Sequence, residues 1–258
     1  MPLQGRTLKF LEMIKLKEYS THPPVDAKKK KLEKLTGHYQ QRIGDLNEIL
    51  RAEQKHSLLI ILQGMDSSGK DGAVKNVFKD CTPFNLSVYA FKKPTEIEFT
   101  HDFLWRVHQQ VPAKGEIKIF NRSHYEDILI QRVHHWIDEE RVAQRMNAIN
   151  AFEELLHFDS NTTILKFYLH LSYEQQAIEL QERLDHPDKF WKHNDGDWKE
   201  REHWEEYMHC YEDAINRSSL PWTIVPVDER WYRDYLIAKA VCEALEAMNL
   251  EYPPLQRA

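Results

Sequence analysis

Short apolar runs alternate with longer amphipathic stretches from residue 58 to the end of the chain. The run at 58–62, Leu-Leu-Ile-Ile-Leu, is rich in branched side chains and has the length of a buried strand. Further strands are predicted at 86–91, 116–120, 163–169 and 222–227, and helices at 71–81, 95–111, 123–158, 173–184, 199–217 and 231–248. Strands that alternate with helices predict an α/β fold whose five-stranded parallel sheet is covered on both faces.

Residues 1–57 are predicted to form a helical extension that precedes a core at 58–258. Apolar residues recur at three- and four-residue spacing between Leu32 and Leu50, which is typical of an amphipathic helix lying on a larger body. Pro23 and Pro24 separate this helix from a short one predicted around 8–16. The lysine run at 28–31 is interpreted as a solvated helix face, with a role in binding an anion as the alternative.

Composition restricts the class of protein further. The chain has 258 residues, of which 41% are hydrophobic and 29% charged, as in ordinary globular proteins. A net charge of −6 argues against a general nucleic-acid-binding protein, although a local basic groove could still bind a polyanionic substrate. No apolar run approaches the roughly 18 residues of a membrane span. We therefore expect neither nucleic-acid nor membrane binding.

The cysteine and histidine residues indicate neither a disulfide framework nor a metal site. Cys81, Cys210 and Cys242 are odd in number and widely spaced, which predicts reduced thiols and a cytoplasmic location. The 14 histidines show no metal-ligand spacing, so we interpret them as surface or hydrogen-bonded residues.

The loop after the first strand carries the strongest chemical signal. Gly64, Gly69 and Gly72 fall within nine residues, and Lys70 follows the second of them. Glycine allows the left-handed backbone turns that let successive N–H groups surround phosphate oxygens, and the next helix contributes its N-terminal dipole. Because a strand precedes the loop and a helix follows it, the motif predicts a phosphate-binding P-loop rather than an incidental tight turn.

Two acids distinguish this loop from the usual ATPase version. Asp71 stands where a Ser or Thr normally binds Mg²⁺, and Asp66 lies inside the loop. A carboxylate beside phosphates is repelled unless a divalent cation lies between them. Asp66, and with it Asp71, is therefore predicted to contact a metal ion or its water.

A second polar cluster follows the third strand, at 121–127, with the sequence Asn-Arg-Ser-His-Tyr-Glu-Asp. Ligands of open α/β sheets bind beyond the carboxyl ends of the strands, where this cluster falls. Arg122 is suited to clamping phosphate oxygens, and Arg132 could face the same cleft. Acids at a helix N-terminus would explain one of Glu126 and Asp127, but not the whole cluster.

A charged segment follows the helix at 173–184. Residues 186–199 contain almost no aliphatic side chains. Mobile lids with basic residues commonly exclude water during phosphoryl transfer. We therefore predict a lid at about 184–204, with Arg183, Lys189 and Lys192 folding over phosphates; an exposed connection of mixed charge is the alternative.

These motifs together resemble the polyphosphate kinase 2 family over about residues 30–250. The matching pieces are Gly-Met-Asp-Ser-Ser-Gly-Lys-Asp-Gly at 64–72, Phe-Lys-Lys-Pro-Thr at 91–95 with His-Asp-Phe-Leu-Trp-Arg at 101–106, the cluster at 120–127 with Gln-Arg-Val-His at 131–134, and Pro-Trp-Thr-Ile-Val-Pro-Val-Asp at 221–228.

The resemblance implies a P-loop kinase-like, three-layer αβα fold with a helical lid. It also implies reversible, in-line transfer of the terminal phosphoryl group of inorganic polyphosphate to a nucleotide, with Mg²⁺ or Mn²⁺. The substrates would be polyphosphate with AMP, ADP and ATP, and the assembly a homo-oligomer, dimer or tetramer. The expected catalytic residues are Asp66, Lys70, Arg122 and Asp127, with Asp66 and Asp127 on the metal. The expected nucleotide- or phosphate-binding residues are Gly64, Ser67, Gly69, Asp71, Gly72, Lys75, Lys93, Asn121, Glu126, Arg132, Arg183, Lys189 and Lys192.

One departure points to a subgroup. Many family members have Asp-Arg-Ser-Trp-Tyr-Asn-Arg where this chain has Asn-Arg-Ser-His-Tyr-Glu-Asp at 121–127. Asn121 thus replaces a metal-organising Asp, and the metal role is expected to have moved to Asp127. The version found here resembles the subgroup that phosphorylates both AMP and ADP.

Two other functions remain open on sequence grounds. An ATP-dependent nucleoside or nucleotide kinase of the thymidylate-kinase kind would share the loop and lid, although Asp71 in place of Ser or Thr argues against it. A non-catalytic P-loop protein would bind nucleotide without turnover and would not need Arg122.

Overall fold

A five-stranded parallel sheet forms the centre of the molecule, in a computed structural model that describes residues 13–255. The strand order is β2-β3-β1-β4-β5. The strands are β1 (Ser57–Gln63), β2 (Leu86–Ala90), β3 (Ile117–Asn121), β4 (Thr162–His170) and β5 (Trp222–Pro226). All neighbouring pairs are parallel, and Ile60 of β1 lies opposite Ile119 of β3 and Leu165 of β4. The predicted α/β fold and its five strands are confirmed.

Helices cover both faces of the sheet. They are α1 (Lys29–Glu53), α2 (Lys70–Val77), α3 (Glu96–Phe99), α4 (Trp105–His108), α5 (Ile130–Val133), α6 (Glu139–Ser160), α7 (Tyr173–Asp185), α8 (Asp195–Glu200), α9 (Trp204–Arg217) and α10 (Arg230–Ala247). Short 3₁₀ turns lie at Leu16–Glu18, His124–Ile128, Pro187–Lys192 and Arg201–His203. The short helix predicted at 8–16 lies mostly outside the described residues. None of the helices in the described part of the chain has the length and apolarity of a membrane span.

The helix predicted at 95–111 is wrong as a single element. The structure has α3 and α4 instead, separated by a turn. The Thr95 side chain caps α3 in a capping box with Glu98, and the Asp102 carboxylate accepts a hydrogen bond from the backbone N–H of Leu104 at 2.9 Å. Short polar side chains that bond to nearby backbone groups compete with the helical ladder, so the chain turns twice where the pattern predicted one helix.

The long helix predicted at 123–158 is also interrupted. It divides into the 3₁₀ turn His124–Ile128, the one-turn helix α5 and the long helix α6. His135 has a positive φ of 54°, and the Asp138 side chain caps α6 by accepting a hydrogen bond from the N–H of Arg141 at 2.8 Å. A left-handed residue followed by an N-cap ends one helix and begins another.

Helix α1 runs parallel to α10 across one face of the sheet. The rings of Tyr39 and Tyr235 lie 6.2 Å apart, and Arg42 pairs with Glu246 further along both helices. The apolar face of α1, including Ile43 and Leu50, is fully buried in the core that also contains β1 and α10. The first turns of α1 and α10 therefore lie near the carboxyl end of the sheet.

Candidate active site

The loop between β1 and α2 has a backbone that favours glycine at two positions. Gly64 has φ of 153°, and a Cβ there would lie 2.7 Å from the carbonyl oxygen of Leu169. Gly69 has φ of 84°, and a Cβ there would lie 2.2 Å from Nη1 of Arg233. These glycines shape the loop so that its backbone closely approaches β4 and α10.

Lys70 begins α2 and is almost fully buried beneath the loop. Its ammonium donates hydrogen bonds to the carbonyl oxygens of Gly64 at 2.8 Å and Met65 at 3.1 Å. Burial, and then the positive charge of Arg122, lower the pKa of Lys70 to about 8. An anionic ligand in the loop would favour the charged form and raise this pKa again.

Arg122 forms an ion pair with Asp66 of the loop. Arg122 is the first residue after β3 and has a positive φ of 62°, while its backbone N–H donates to the carbonyl oxygen of Leu62 at 3.0 Å. Burial disfavours the guanidinium charge, but Asp66 and Glu126 outweigh this effect and raise the pKa of Arg122. Arg122 is thus a permanent cation held next to the phosphate loop.

A cavity of about 690 Å³ opens over the loop on one side of this ion pair. We call it the basic cavity because nine Lys and Arg residues but only four Asp and Glu residues line it. The cations are Lys70, Lys92, Lys93, Arg122, Arg183, Lys189, Lys192, Arg230 and Arg233, and the acids are Asp66, Asp71, Glu179 and Asp197. An excess of cations around one cleft focuses a positive field on a polyanion.

A smaller cavity of about 250 Å³ lies on the other side. We call it the acidic cavity because Asp66, Glu126, Asp197 and Glu200 line it with Arg122 as the one cation among its lining residues. Two aromatic rings, those of Tyr207 and Tyr211 from α9, complete its wall. Burial raises the pKa of Glu126, although Arg122 and Lys70 oppose this effect. Asp66 and Arg122 line both cavities and so stand at their junction.

The charged segment after α7 lies against the phosphate loop. Arg183 donates to the hydroxyl oxygen of Ser67 at 2.8 Å and to the carboxylate of Asp197 in α8 at 2.5 Å. Lys192 approaches the carboxylate of Asp71 at 3.9 Å. Asn194 and Asp197 of the segment line both cavities, which places the segment along their rim.

Most of the expected site residues line the cavities. Gly64 and Glu126 line the acidic cavity, Asp66 and Arg122 line both, and Ser67, Gly69, Lys70, Asp71, Gly72, Lys93, Asn121, Arg183, Lys189 and Lys192 line the basic one. The amide of Asn121 donates to the carboxylate of Asp71 at 2.6 Å, which brings together the loops after β1 and β3.

Three expected residues lie elsewhere. Lys75 is exposed on α2 and lines neither cavity. Arg132 turns away and pairs with Glu139 and Asp213 at 2.6 and 2.8 Å. Asp127 is 3% exposed and pairs with Arg106 at 3.1 Å. Within the 3₁₀ turn that follows β3, Glu126 faces the acidic cavity while Asp127 pairs with buried Arg106, so the expected metal pair of Asp66 and Asp127 is not brought together.

Sequence reasoning missed several lining residues, chiefly Arg230 and Arg233 of α10. The guanidinium of Arg233 is buried and donates to the carbonyl oxygen of Gly69 at 3.1 Å. Helix α10 begins directly after β5, at the same edge of the sheet as the loops after β1 and β3. The rule that ligands bind beyond the carboxyl ends of strands would have included these arginines. Tyr207 and Tyr211 carried no comparable signal.

Known proteins are similar to this chain along most of its length. Residues 26–253 match the family Polyphosphate kinase 2 (PPK2). A protein of Meiothermus ruber named AMP/ADP-polyphosphate phosphotransferase is 45% identical over 216 residues, which are 83% of this chain and 80% of the relative. The ADP-polyphosphate phosphotransferase of Rhodopseudomonas palustris is 36% identical over 228 residues, 83% of this chain and 78% of the relative.

A solved structure agrees with the sequence relatives. The crystal structure of polyphosphate kinase 2 from Arthrobacter aurescens TC1 superposes with a TM-score of 0.88 at 37% identity, covering 100% of this chain and 91% of that one. The glycine loop, Lys70 and the cluster after β3 thus occur in a chain that matches the family along almost its whole length. This chain belongs to the polyphosphate kinase 2 family.

Proposed function

We propose that this protein reversibly transfers the terminal phosphoryl group of inorganic polyphosphate to a nucleotide. The observation that carries the proposal is the meeting of a basic and an acidic cavity at the Asp66–Arg122 pair beside the phosphate loop. Two phosphorylated substrates need two sites with a shared reacting centre. The names of the relatives from Meiothermus ruber and Rhodopseudomonas palustris support polyphosphate as one of the two.

The basic cavity suits the polyphosphate and the acidic cavity suits the nucleotide. A polyphosphate chain carries about one negative charge per phosphate and no apolar part, so it needs many cations, as in the lining of the basic cavity. A nucleotide brings a flat base, and the wall of the acidic cavity contains the aromatic side chains of Tyr207 and Tyr211, which are 7% and 5% exposed. In this arrangement the nucleotide phosphate meets the polyphosphate end at Arg122.

Transfer then proceeds in line. An oxygen of the nucleotide phosphate attacks the terminal phosphorus, and the bridging P–O bond to the rest of the polyphosphate breaks, which leaves a polyphosphate one unit shorter. Such reactions require positioning and neutralisation of charge more than acid–base chemistry. Lys70 in the loop and Arg122 at the junction supply fixed positive charge to the oxygens of the transferred group.

The acids at the loop fit a divalent cation, Mg²⁺ or Mn²⁺. Asp66 and Asp71 line the basic cavity, and Asn121 bonds to Asp71. Mg²⁺ typically takes one or two carboxylates and completes its shell with water and substrate phosphates, so two acids suffice. Among the described residues no group of three or more His, Cys, Asp or Glu forms a complete metal cage. When bound, the ion would neutralise phosphate oxygens.

We also propose that both AMP and ADP serve as acceptors. The relative from Meiothermus ruber carries both nucleotides in its name. Glu126, which replaces an asparagine of many family members, lies in the acidic cavity beside Arg122. A carboxyl group there can orient a nucleotide phosphate through the metal or Arg122, for acceptors of either length.

The segment at 184–204 is proposed to act as a lid. Lys192 of this segment approaches Asp71, and Asp197 of the segment pairs with Arg183 of α7, which in turn donates to Ser67 of the loop. Closure would exclude water, which otherwise competes with the nucleotide for the phosphoryl group. The lid would belong to a core at 58–258, and 1–57 would form the N-terminal extension.

Location and assembly complete the proposal. Cys81, Cys210 and Cys242 are free thiols, which supports the expected cytoplasmic location. We expect a homo-oligomer, a dimer or tetramer, and no binding of nucleic acid or membranes. Light scattering on the purified protein would measure the mass of the assembly.

One assay separates the proposal from its alternatives. The purified protein is incubated with Mg²⁺, long-chain polyphosphate and either ADP or AMP, and nucleotides are resolved by chromatography. We expect ATP from ADP, and ADP from AMP. Failure of both reactions, together with phosphorylation of a nucleoside or nucleotide by ATP, would favour the thymidylate-kinase-like alternative. Nucleotide binding without any turnover would favour the non-catalytic one.

A further inference from the structure

Two backbone segments flank the basic cavity at neighbouring strands. The first, at 91–93, leaves the edge strand β2, and its exposed side chains Lys92 and Lys93 line the cavity. The second, at 121–127, leaves β3 and carries Arg122. The last ladder contact between them is the hydrogen bond from the N–H of Phe91 to the carbonyl oxygen of Asn121, at 3.1 Å. Beyond it, the first segment has left the sheet.

The buried side chain of Arg106 connects these two segments. It projects from α4 and is only 6% exposed. Its Nη1 donates to the carbonyl oxygen of Lys92 at 2.8 Å, and its Nη2 donates to Oδ2 of Asp127 at 3.1 Å. Its guanidinium also lies over the ring of Phe91, 5.4 Å from the centroid. Among the described residues, the hydrogen bond from Arg106 to the carbonyl oxygen of Lys92 is the one that reaches the backbone of 92–94.

Asp127 is itself fixed from the opposite side. Its Oδ1 accepts a hydrogen bond from the Gln131 amide at 2.7 Å, and its carbonyl oxygen accepts one from Nη1 of Arg145 at 2.7 Å. A buried carboxylate with charge-assisted bonds on both oxygens holds its partner in a defined place. Neither Arg106 nor Asp127 lines the basic or the acidic cavity.

We propose that Arg106 and Asp127 are positioning residues that hold the Lys92–Lys93 segment over the basic cavity and thereby determine the affinity for polyphosphate. The inference rests on the proposed function, which places polyphosphate in that cavity. Lysines on a short exposed segment bind a polyanion well only if the segment is already ordered, because ordering it during binding would consume binding free energy. The buried pair supplies that order.

A purely structural role of the Arg106–Asp127 pair would predict a different result in a double variant. Loss of one member of a buried ion pair destabilises the whole fold, whereas replacement of both by apolar side chains commonly restores stability. A double variant would therefore recover the thermal stability that a single variant loses. The hydrogen bond to the carbonyl oxygen of Lys92 would not be restored, because the methionine side chain has no N–H to donate.

The test compares Arg106→Met, Asp127→Asn and the double variant Arg106→Met/Asp127→Met with the wild-type protein. Thermal unfolding measures stability, and steady-state kinetics with Mg²⁺ measure KM separately for polyphosphate and for ADP. Lys166→Met serves as a matched control, because Lys166 pairs with Glu153 at 2.6 Å, is fully buried and lines neither cavity. It removes a buried charge without touching the Lys92 segment.

We expect KM for polyphosphate to rise about tenfold in Arg106→Met and in the double variant, with KM for ADP within about twofold of wild type, since uniform binding of one substrate is lost. The double variant should regain thermal stability while keeping the raised KM. Lys166→Met should lose stability without changing the ratio of the two KM values.

Equal rises of both KM values in Arg106→Met, or a normal polyphosphate KM in the double variant, would overturn the proposal. A higher Mg²⁺ requirement in Asp127→Asn would also overturn it, because that result would make Asp127 a metal ligand. These outcomes differ from failure of the proposed function itself, in which the wild-type protein would show no polyphosphate-dependent turnover.

Discussion

Arg122 pairs with Asp66 at the boundary between the two cavities, so one guanidinium lines both of them. The left-handed backbone at Arg122, with φ of 62°, directs its side chain to this boundary. A non-glycine residue in that region costs about 1 kcal/mol or more, and such strain persists where the surrounding structure enforces it. Five predictions concern this site and its surroundings.

Arg122→Met should reduce kcat for ATP formation from polyphosphate and ADP by about 100-fold or more, since one charge clamp on the transferred group is lost. Steady-state kinetics at saturating concentrations of both substrates measure the effect. Arg132→Met is the matched comparison, because Arg132 pairs with Glu139 and Asp213 outside both cavities. Turnover by Arg122→Met above about a third of the wild-type rate would contradict the role of Arg122.

The low pKa of Lys70, about 8, predicts a loss of polyphosphate affinity in alkaline solution. As pH rises through about 8, Lys70 of the free protein loses its proton and its attraction for phosphate, so kcat/KM for polyphosphate should decline above that value. Lys70→Ala should show a much lower rate with no such decline. A wild-type profile that stays flat to pH 10 would contradict the assignment.

The titration of Lys70 should also change the stability of the fold, which is expected to rise with pH while the affinity for polyphosphate falls. The pKa of Lys70 is lower in the folded protein than the ordinary value of 10.5, so the unfolded chain binds more protons between about pH 8 and 10.5. The free energy of unfolding that Lys70 contributes therefore increases as pH rises through this window, so the folded state becomes more stable. The difference between wild type and Lys70→Met in denaturant melts at pH 7 and 10 isolates this contribution.

Gly69→Ala should damage the site, while Gly37→Ala should not. At Gly69 the left-handed φ of 84° costs an L-residue about 1–2 kcal/mol, and the new methyl group would displace Arg233. Gly37 lies within α1 with open space around it, so alanine should stabilise the helix by about 1 kcal/mol. Thermal unfolding and kcat measured on both variants decide this. Equal behaviour of the two alanines would disprove the requirement for glycine at 69.

The assignment of the two cavities predicts separate effects on the two substrates. Lys93→Ala should raise KM for polyphosphate, and high salt should reduce the difference from wild type. Tyr207→Ala should raise KM for ADP by about threefold or more, since an aromatic contact in the wall of the acidic cavity contributes about 0.5–1.5 kcal/mol. Isothermal titration with each substrate alone would check the binding step. The reverse pattern would exchange the two substrates between the cavities.

Local pattern in the sequence was sufficient for the sheet and the phosphate loop. Branched apolar runs gave the five strands, and the spacing of Gly64, Gly69 and Lys70 between a strand and a helix gave the loop, because both features depend on neighbours within about ten residues. Parallel strands bring the loops after them to one edge, so Asn121 and Asp71 could be expected to lie close together, as their 2.6 Å hydrogen bond shows.

Tertiary structure decided which way the remaining side chains point. Periodicity predicted a regular helix after β3, but the structure has a 3₁₀ turn there, and Asp127 pairs with the buried Arg106 of α4, a partner 21 residues away in the chain. Arg233 reaches Gly69 across 164 residues of chain, a contact that no local spacing encodes. A residue type in a sequence shows what chemistry is available. Its partner depends on side-chain direction and long-range packing, which the folded chain alone determines.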